Sequence, residues 1–343
     1  MAGRPTIEDV AAAAGVSVAT VDRVLNGRAK VREETARKVS NAAEAIGYHA
    51  ATAIRARVMA DRPEIHLGIV LQKERHAFYQ EFAQSIEEAA RQDPNRRWRL
   101  TIRFSPGQSP SDFAETIASF AGKVQAVAAT GIDHHEVTAA VGLLRGRGIP
   151  VFSLLSDFAP GLREAYLGTN NLKTGRTSGW LMHHLTRRSG KLAVFIGGHR
   201  FHGHDLREAG FRSYLREYTS GLEVLDTLLN LETRQLTYET TLELIHRHPD
   251  LVGIYCAGGG MEGAIAAIDE TGRSRDLALL VHELTPESRQ GLLRGTVSTV
   301  LSTPLQPLAQ EVLSAAAHVL DHGMAENPGQ RFVTPIIVTP ESL

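Results

Sequence analysis

Ile7, Val10, Ala11 and Ala14 are apolar at i, i+3, i+4 and i+7, the spacing of a helix that buries one face. Thr6 stands just ahead with Asp9 three positions on, a helix start signal. Gly15 lets the backbone turn sharply at the helix end. Ser17 can cap a second helix whose buried side is Val21, Val24 and Leu25. Two short helices around a tight Gly-containing turn predict a helix-turn-helix. Val18, Ala19, Asp22 and Arg23 then lie on the open face of the second helix. An Arg there can reach guanine O6 and N7, and small apolar side chains can meet a thymine methyl. A plain Ala-rich helical hairpin is the competing expectation. Asn26-Gly27 reads as a turn, with Lys30 and Arg32 placed to meet phosphates. A third helix is predicted over about 32–46, with Thr35, Val39, Ala42, Ala43 and Ile46 inward and Gly47 stopping it.

Beyond Ile65 the pattern changes. Apolar runs such as IHLGIVL, WRLTIRF, VQAVAAT, PVFSLL, KLAVFIG, LEVLDTLL, LVGIYC, LALLV and VSTVL alternate with amphipathic helical stretches. The helical stretches include FYQEFAQSIEEAARQ, SDFAETIASFAG, HEVTAAVGLLRGRG and TSGWLMHHLTRR. Continuous apolar strands separated by helices predict parallel sheets covered on both faces. The length suffices for two such lobes. The expected fold is therefore a small all-α helix-turn-helix headpiece, residues 1–48, followed by a linker over 49–64. A bilobed α/β domain of two doubly wound parallel sheets fills residues 65–343.

Composition sharpens this division. The 343 residues carry a net charge of −1, which gives no general pull toward nucleic acid or membrane. Up to Arg62, however, ten basic residues face seven acidic ones, leaving +3. The remaining 27 basic and 31 acidic residues leave −4. A basic end on an acidic body suits a phosphate-contacting module attached to a sensor. The single cysteine, Cys256, excludes an internal disulfide and fits a reducing compartment. With no apolar leader after Met1 and no membrane-length apolar run, the expected location is cytoplasmic.

The segment GVSVATVDRVLNGRAKVREETARKVSNAAEAIGYHA resembles the DNA-binding headpiece of the lactose-repressor (LacI/GalR) family. The V-S-x-x-T-V-x-R-V-L-N run, the V-x-x-x-T entry to the third helix and the closing I-G-Y carry the resemblance. Further on, YLGTNNLKTGRTSGWLMHHL, REAGF and GLLRGTVSTVLSTP resemble the family's periplasmic-binding-protein-like effector domain. The DNA-contacting set expected from both readings is Thr6, Ser17, Val18, Ala19, Thr20, Asp22, Arg23, Asn26, Lys30 and Arg57. Asp22 stands where the family commonly has a Ser; a carboxylate there needs Arg23 or a cytosine amino group as partner. In the family the linker forms a hinge helix that wedges a leucine into the minor groove. Here Ala50-Ala51 replaces the usual Pro-Asn, Arg57 stands at the leucine position and Val58 follows. A working hinge and a plain helical linker both remain open.

The resemblance places an effector between the lobes, at the carboxyl ends of strands. It points to Phe78, Tyr79, Asp157, Arg207, Gly258, Glu283 and Ser302, with Arg207 and Glu283 on opposite lobes or at the hinge between them. Gly258-Gly259 stands for a usual Asn-Asp, and Ser302 for a usual Gln. Both changes remove polar groups and point to an effector bulkier than, or different from, a simple hexose. The implied protein is a transcriptional repressor, a homodimer on a two-fold operator, without cofactor or metal and without enzymatic activity.

Three rivals have their own residues. Gly258, Gly260 and Gly263 satisfy G-x-G-x-x-G after a strand, with Glu283 about twenty residues on, which suits an NAD-type oxidoreductase. His199, His202, His204 and Asp205 are dense enough to suggest zinc. A transport-type solute-binding protein would share the bilobed domain, but the helix-turn-helix argues against it. Common phosphoryl-transfer and hydrolase signatures do not occur.

Overall fold

Thr6 caps α1 (Ile7–Ala14) through a reciprocal pair: its hydroxyl accepts from Asp9 N, and Asp9 accepts from Thr6 N at 2.7 Å. Gly15 ends the helix at φ 64°, the left-handed conformation expected of it. α2 (Val18–Asn26) follows, with the Ser17 hydroxyl accepting from Thr20 N at 3.2 Å. α3 (Glu33–Ala45) and α4 (Ala51–Ala60) complete the group. Their shared core is Val10, Ala11, Val21, Val24, Val39, Ala43, Tyr48 and Ile54. The linker expected over 49–64 thus contributes a helix that buries Ile54 completely in the headpiece core. This computed structural model describes residues 4–26, 31–60, 63–186 and 188–343. Gly27 and Lys30, read from the sequence as turn and phosphate contact, lie outside the described residues.

The chain divides into two compact units. One takes the residues up to Ile65 together with Arg91–Arg99; the other takes His66–Ala90 and Leu100–Leu343. In the bilobed region the first run is β1 (Glu64–Leu71), α5 (Ala77–Gln92), β2 (Arg97–Phe104), α6 (Pro110–Ala118) and β3 (Ala126–Ala129). It continues through α7 (His135–Arg145), β4 (Val151–Leu154) and β5 (Ala165–Thr169). α8 (Asn171–Leu185) leads into β6 (Gly190–Ile196), α9 (His202–Tyr218), β7 (Leu222–Val224), β8 (Leu228–Leu229) and α10 (Arg234–Arg247). Then come β9 (Leu251–Cys256), α11 (Met261–Thr271), β10 (Ala278–His282), α12 (Pro286–Arg294) and β11 (Thr299–Ser302). α13 (Leu305–His322) returns to the first sheet, before β12 (Gly329–Val333) and β13 (Ile336–Val338).

The first sheet has the order β12-β5-β4-β3-β1-β2, the second β13-β11-β10-β9-β6-β7 with β8 on β6. The chain therefore passes between the sheets three times: after β5, after β11 and after β12. The pairings that link β1, β3, β4, β5 and β12, and those that link β7, β6, β9, β10 and β11, are parallel, as the continuous apolar runs predict, while β13 lies antiparallel to β11. All six residues of β9 are buried, with helices on both faces.

Several elements differ from the sequence reading. LEVLDTLL is two strands, because Arg212 takes the carbonyls of Val224 and Leu225 and so interrupts the ladder. β5, β12 and β13 had no strand signal of their own, the last two being short and largely exposed edge strands.

Candidate ligand cleft and DNA-facing helix

α2 lays Ser17, Val18, Ala19, Arg23 and Asn26 on an exposed surface, Val18 at 42 %. Thr20 and Asp22 are half-buried. The buried side is Val21 and Val24, so the face opposite the core is small and polar around one Arg. Asp22 accepts from Asn26 at 2.6 Å, one turn along the helix. Thr6 spends its hydroxyl on the cap described above. Arg57 donates to the Leu25 carbonyl at 3.0 Å, near the end of α2.

In the bilobed unit the carboxyl ends of strands from both sheets converge on a cleft of about 740 Å³, its mouth included. Gln72 and Lys73 follow β1, Thr130 follows β3, Leu155 and Ser156 follow β4, Gly258 and Gly259 follow β9, and Glu283 follows β10. Of the sequence-derived set, Phe78, Tyr79, Arg207, Gly258 and Glu283 meet here. Phe78 and Tyr79 sit in the first turn of α5 and pack edge to face, ring centroids 5.1 Å apart. Tyr79 Oη accepts from Gln72 Nε2, and burial raises its phenol pKa, so it stays protonated.

Arg207 is 7 % exposed. It reaches the cleft because α8 and α9 pack backbone to backbone: a Cβ on Gly175 would stand 2.0 Å from the Arg207 carbonyl oxygen. Its Nε donates to Asn171 Oδ1 at 2.7 Å and its Nη1 to the Ala257 carbonyl at 2.9 Å. These contacts fix the guanidinium plane and leave Nη2 without a partner among the described residues. Glu283 has φ 68° and accepts from Thr303 N and Thr303 Oγ1, each at 2.8 Å. Burial raises its pKa against the opposing charge of Arg207. Arg207 on α9 and Glu283 after β10 both belong to the second lobe, so the expected placement on opposite lobes or at the hinge is corrected; first-lobe residues such as Tyr79 and Gln72 line the same cleft.

Two expected cleft residues lie elsewhere. Asp157 is held by Arg163 through two hydrogen bonds of 2.6 and 2.7 Å and by Ser153 at 2.7 Å. It lines a separate hollow with Tyr166, Asn171 and Gln330. The signal that misled was its position after a strand; Arg163, six residues on, captures it. Ser302 also stays outside the cleft, its hydroxyl accepting from Leu284 N at 3.4 Å. Its neighbour Thr303 does the work, by gripping Glu283.

Sequence reasoning missed Lys73, His76, Glu232 and His282 in the cleft, and left His204 between a zinc ligand and a loop histidine lining a pocket or solvent. His204 turns inward against Gly258, where a Cβ would sit 2.4 Å from its Cε1. Burial brings its pKa down to about 4 despite Glu232 at 3.7 Å, so the ring is neutral. The zinc reading fails on this geometry. His199 pairs with Asp205 at the surface, His202 lines the other hollow and His204 is buried in the cleft. A backbone signal would have found the cleft. Of the six non-glycine residues with positive φ among those described, Lys73, Leu155, Glu232 and Glu283 all line it. Such strain clusters at functional sites.

The glycine-rich turn serves the same packing. Gly259 N–H donates to Glu232 Oε1 at 3.2 Å, so this amide is not turned to a pyrophosphate. A Cβ on Gly263 would stand 2.1 Å from the Arg234 carbonyl, which makes it a contact between α10 and α11.

A helix-turn-helix with one exposed recognition helix, joined to a two-lobed binding cleft, defines a ligand-responsive DNA-binding regulator. The family model for bacterial regulatory proteins of the lacI family matches residues 6–51, and a periplasmic binding protein domain model matches residues 67–324. The chain belongs to the LacI family of transcriptional regulators, with a periplasmic-binding-protein-like sensor domain. It is 28 % identical over 77 % of its length to the HTH-type transcriptional regulator GntR of Pseudomonas aeruginosa, covering 74 % of that protein. It is 29 % identical over 57 % of its length to the ribitol operon repressor of Klebsiella aerogenes, covering 71 % of that protein. Among solved structures, the glucose-galactose binding protein GanP of Geobacillus stearothermophilus superposes with a TM-score of 0.73 at 17 % identity. That match covers 82 % of this chain and 99 % of the other. GntR and the ribitol operon repressor are transcription regulators, and the oxidoreductase alternative finds no support among these comparisons. Among the described residues no helix is long and apolar enough to cross a membrane.

Proposed function

We propose that this regulator is a cytoplasmic repressor that binds a two-fold operator as a homodimer and is controlled by a small polyhydroxylated effector in the cleft. The observation that carries the effector class is the cleft itself. Phe78 and Tyr79 line it together with a fixed guanidinium donor and a carboxyl acceptor, Arg207 and Glu283. A sugar-like molecule presents apolar C–H faces and ring hydroxyls to such a pairing. The ribitol operon repressor and the glucose-galactose binding protein, as their names state, support the same class.

On the DNA side, Arg23 is the strong base-edge donor on the open face of α2, flanked by Ser17, Val18, Ala19 and Asn26. Thr6, Thr20, Asp22 and Lys30 complete the proposed contact set, while Arg57, the remaining candidate from the sequence, is held at the Leu25 carbonyl. One headpiece reads few bases, so specificity requires two on one site. Effector binding shifts the population of lobe arrangements and through it the fit of both headpieces.

The test is a titration of Arg23→Ala on operator and on scrambled duplex. A lost bidentate Arg–guanine contact weakens operator binding by about 1–3 kcal/mol per half-site while leaving the scrambled duplex nearly unchanged. Equal loss on both duplexes makes Arg23 a phosphate contact and overturns the reading.

A further inference from the structure

Lys73 and Glu232 face each other from opposite lobes. Lys73 Nζ lies 2.8 Å from Glu232 Oε2 and donates to the Glu232 carbonyl at 3.1 Å. Gln108, also from the first lobe, donates to the same Oε2 at 2.9 Å and to Gln72 Oε1 at 3.0 Å. A second pair crosses nearby, His76 to Glu262 at 3.5 Å. The Glu232 side chain is only 7 % exposed, so these contacts are shielded from water. Burial pushes its carboxyl up, but the Lys73 charge, with the hydrogen bonds, brings it down to about 2, and it is ionised.

Both ends of the pair are presented by strained backbone. Lys73 has φ 49°, and Leu231 and Glu232 have φ 50° and 52°. Left-handed non-glycine residues persist only where their surroundings over-determine them. Buried Asn230 does this for Glu232, accepting from its N–H at 2.9 Å and donating to the Gly259 carbonyl at 2.8 Å. Topology adds leverage. Lys73 follows β1, next to edge strand β2, and Glu232 follows β8 on the outer side of β6. Both lie at the sheet ends opposite β12 and β13, away from the last crossing between lobes.

We propose that Lys73, Glu232 and Gln108 form a latch that holds the two lobes together by protein contacts alone. Ligand admission then requires the pair to part. This rests on the cleft being the effector site. A ligand oxygen that takes over the Lys73 donor offsets the lost pair, so the latch favours ligands with an acceptor at that end.

Hydrogen exchange on the full chain, with no small molecule added, tests the latch directly. Lys73→Met keeps the apolar stem, and Glu232→Gln keeps the shape. Each is expected to raise exchange roughly tenfold in cleft-facing segments of both lobes, residues 73–80 and 230–237, the scale of one lost charge-assisted hydrogen bond. The double variant is expected to exchange no faster than the faster single one, because both remove one interaction. Unchanged exchange in Lys73→Met, or a rise confined to its own turn, overturns the latch. If Glu232→Gln fails to fold, Lys73→Met still decides. The experiment uses neither operator nor effector, so failure of the repressor reading is separately visible in the duplex titration.

Discussion

The headpiece and the cleft solve opposite problems. The DNA-facing residues of α2 are contiguous in sequence and exposed, and they are set by one helical period over a core of eight buried residues. The cleft gathers residues from loops after β1, β3, β4, β8, β9 and β10, buries charge, and holds four of its side chains on left-handed backbone. Short-range order makes the first legible from spacing. The second depends on which strand ends a topology brings together, and on who captures each charge once there. Asp157 and Arg207 show the difference. Both were read as cleft residues, yet Arg163 removes one, while Asn171 and Ala257 aim the other.

The largest expected effect tests where the headpiece ends. Ile54 is fully buried among Val21, Val39 and Tyr48, on a helix the sequence left between hinge and linker. Ile54→Ala is expected to destabilise the headpiece by about 2–5 kcal/mol, through lost transfer energy and a residual cavity. Hydrogen exchange of residues 7–46 without DNA reads this as faster opening. An unchanged rate would make α4 a bystander, and the headpiece would close with α3.

Acid separates the two regions next. His204 is buried and neutral with a pKa near 4, against 6.5 for the ordinary side chain, and burial lowers His282 in the same direction. Because the folded pKa is depressed, the unfolded chain takes up protons first as pH falls below about 6.5. The stability from keeping His204 neutral is therefore intact above that pH and is lost on the way down to about 4. One such shift amounts to about 3 kcal/mol. The headpiece core holds no histidine, so the headpiece melting transition should move less over that window than the lobe transition. Thermal melts between pH 7 and 4 check this, and His204→Gln should flatten the slope of the lobe transition. A slope that survives the substitution would assign the acid sensitivity to other groups.

The sequence made most of the architecture visible, because its strands are apolar throughout and its helices amphipathic. It hid the cleft's charges for a physical reason. Glu232 lies in an exposed-looking LNLET stretch, and nothing local says that Asn230 and Gly259 will fold it inward. Lys73 in QKER reads as a solvated charge run for the same reason.

The smallest effect concerns Arg57, which the family pattern would place toward the DNA minor groove. Its Nη1 instead donates to the Leu25 carbonyl in the last turn of α2, where helix carbonyls lack an intrahelical donor, and the side chain is otherwise exposed. A charge-assisted hydrogen bond at an exposed site is worth about 1 kcal/mol. Arg57→Ala should therefore lower the headpiece melting temperature by roughly 4–8 °C, the scale for a domain of 60–100 residues. Operator and scrambled duplex should then weaken only as far as the headpiece has unfolded, which working well below the melting temperature removes. If Arg57 instead leaves this carbonyl for a phosphate, melting stays put. Affinity then falls on both duplexes alike, and the salt dependence of binding drops by about one unit of slope. The two outcomes are exclusive in sign and separable in a single set of titrations. They decide whether α4 stabilises the headpiece through α2 or serves the DNA directly.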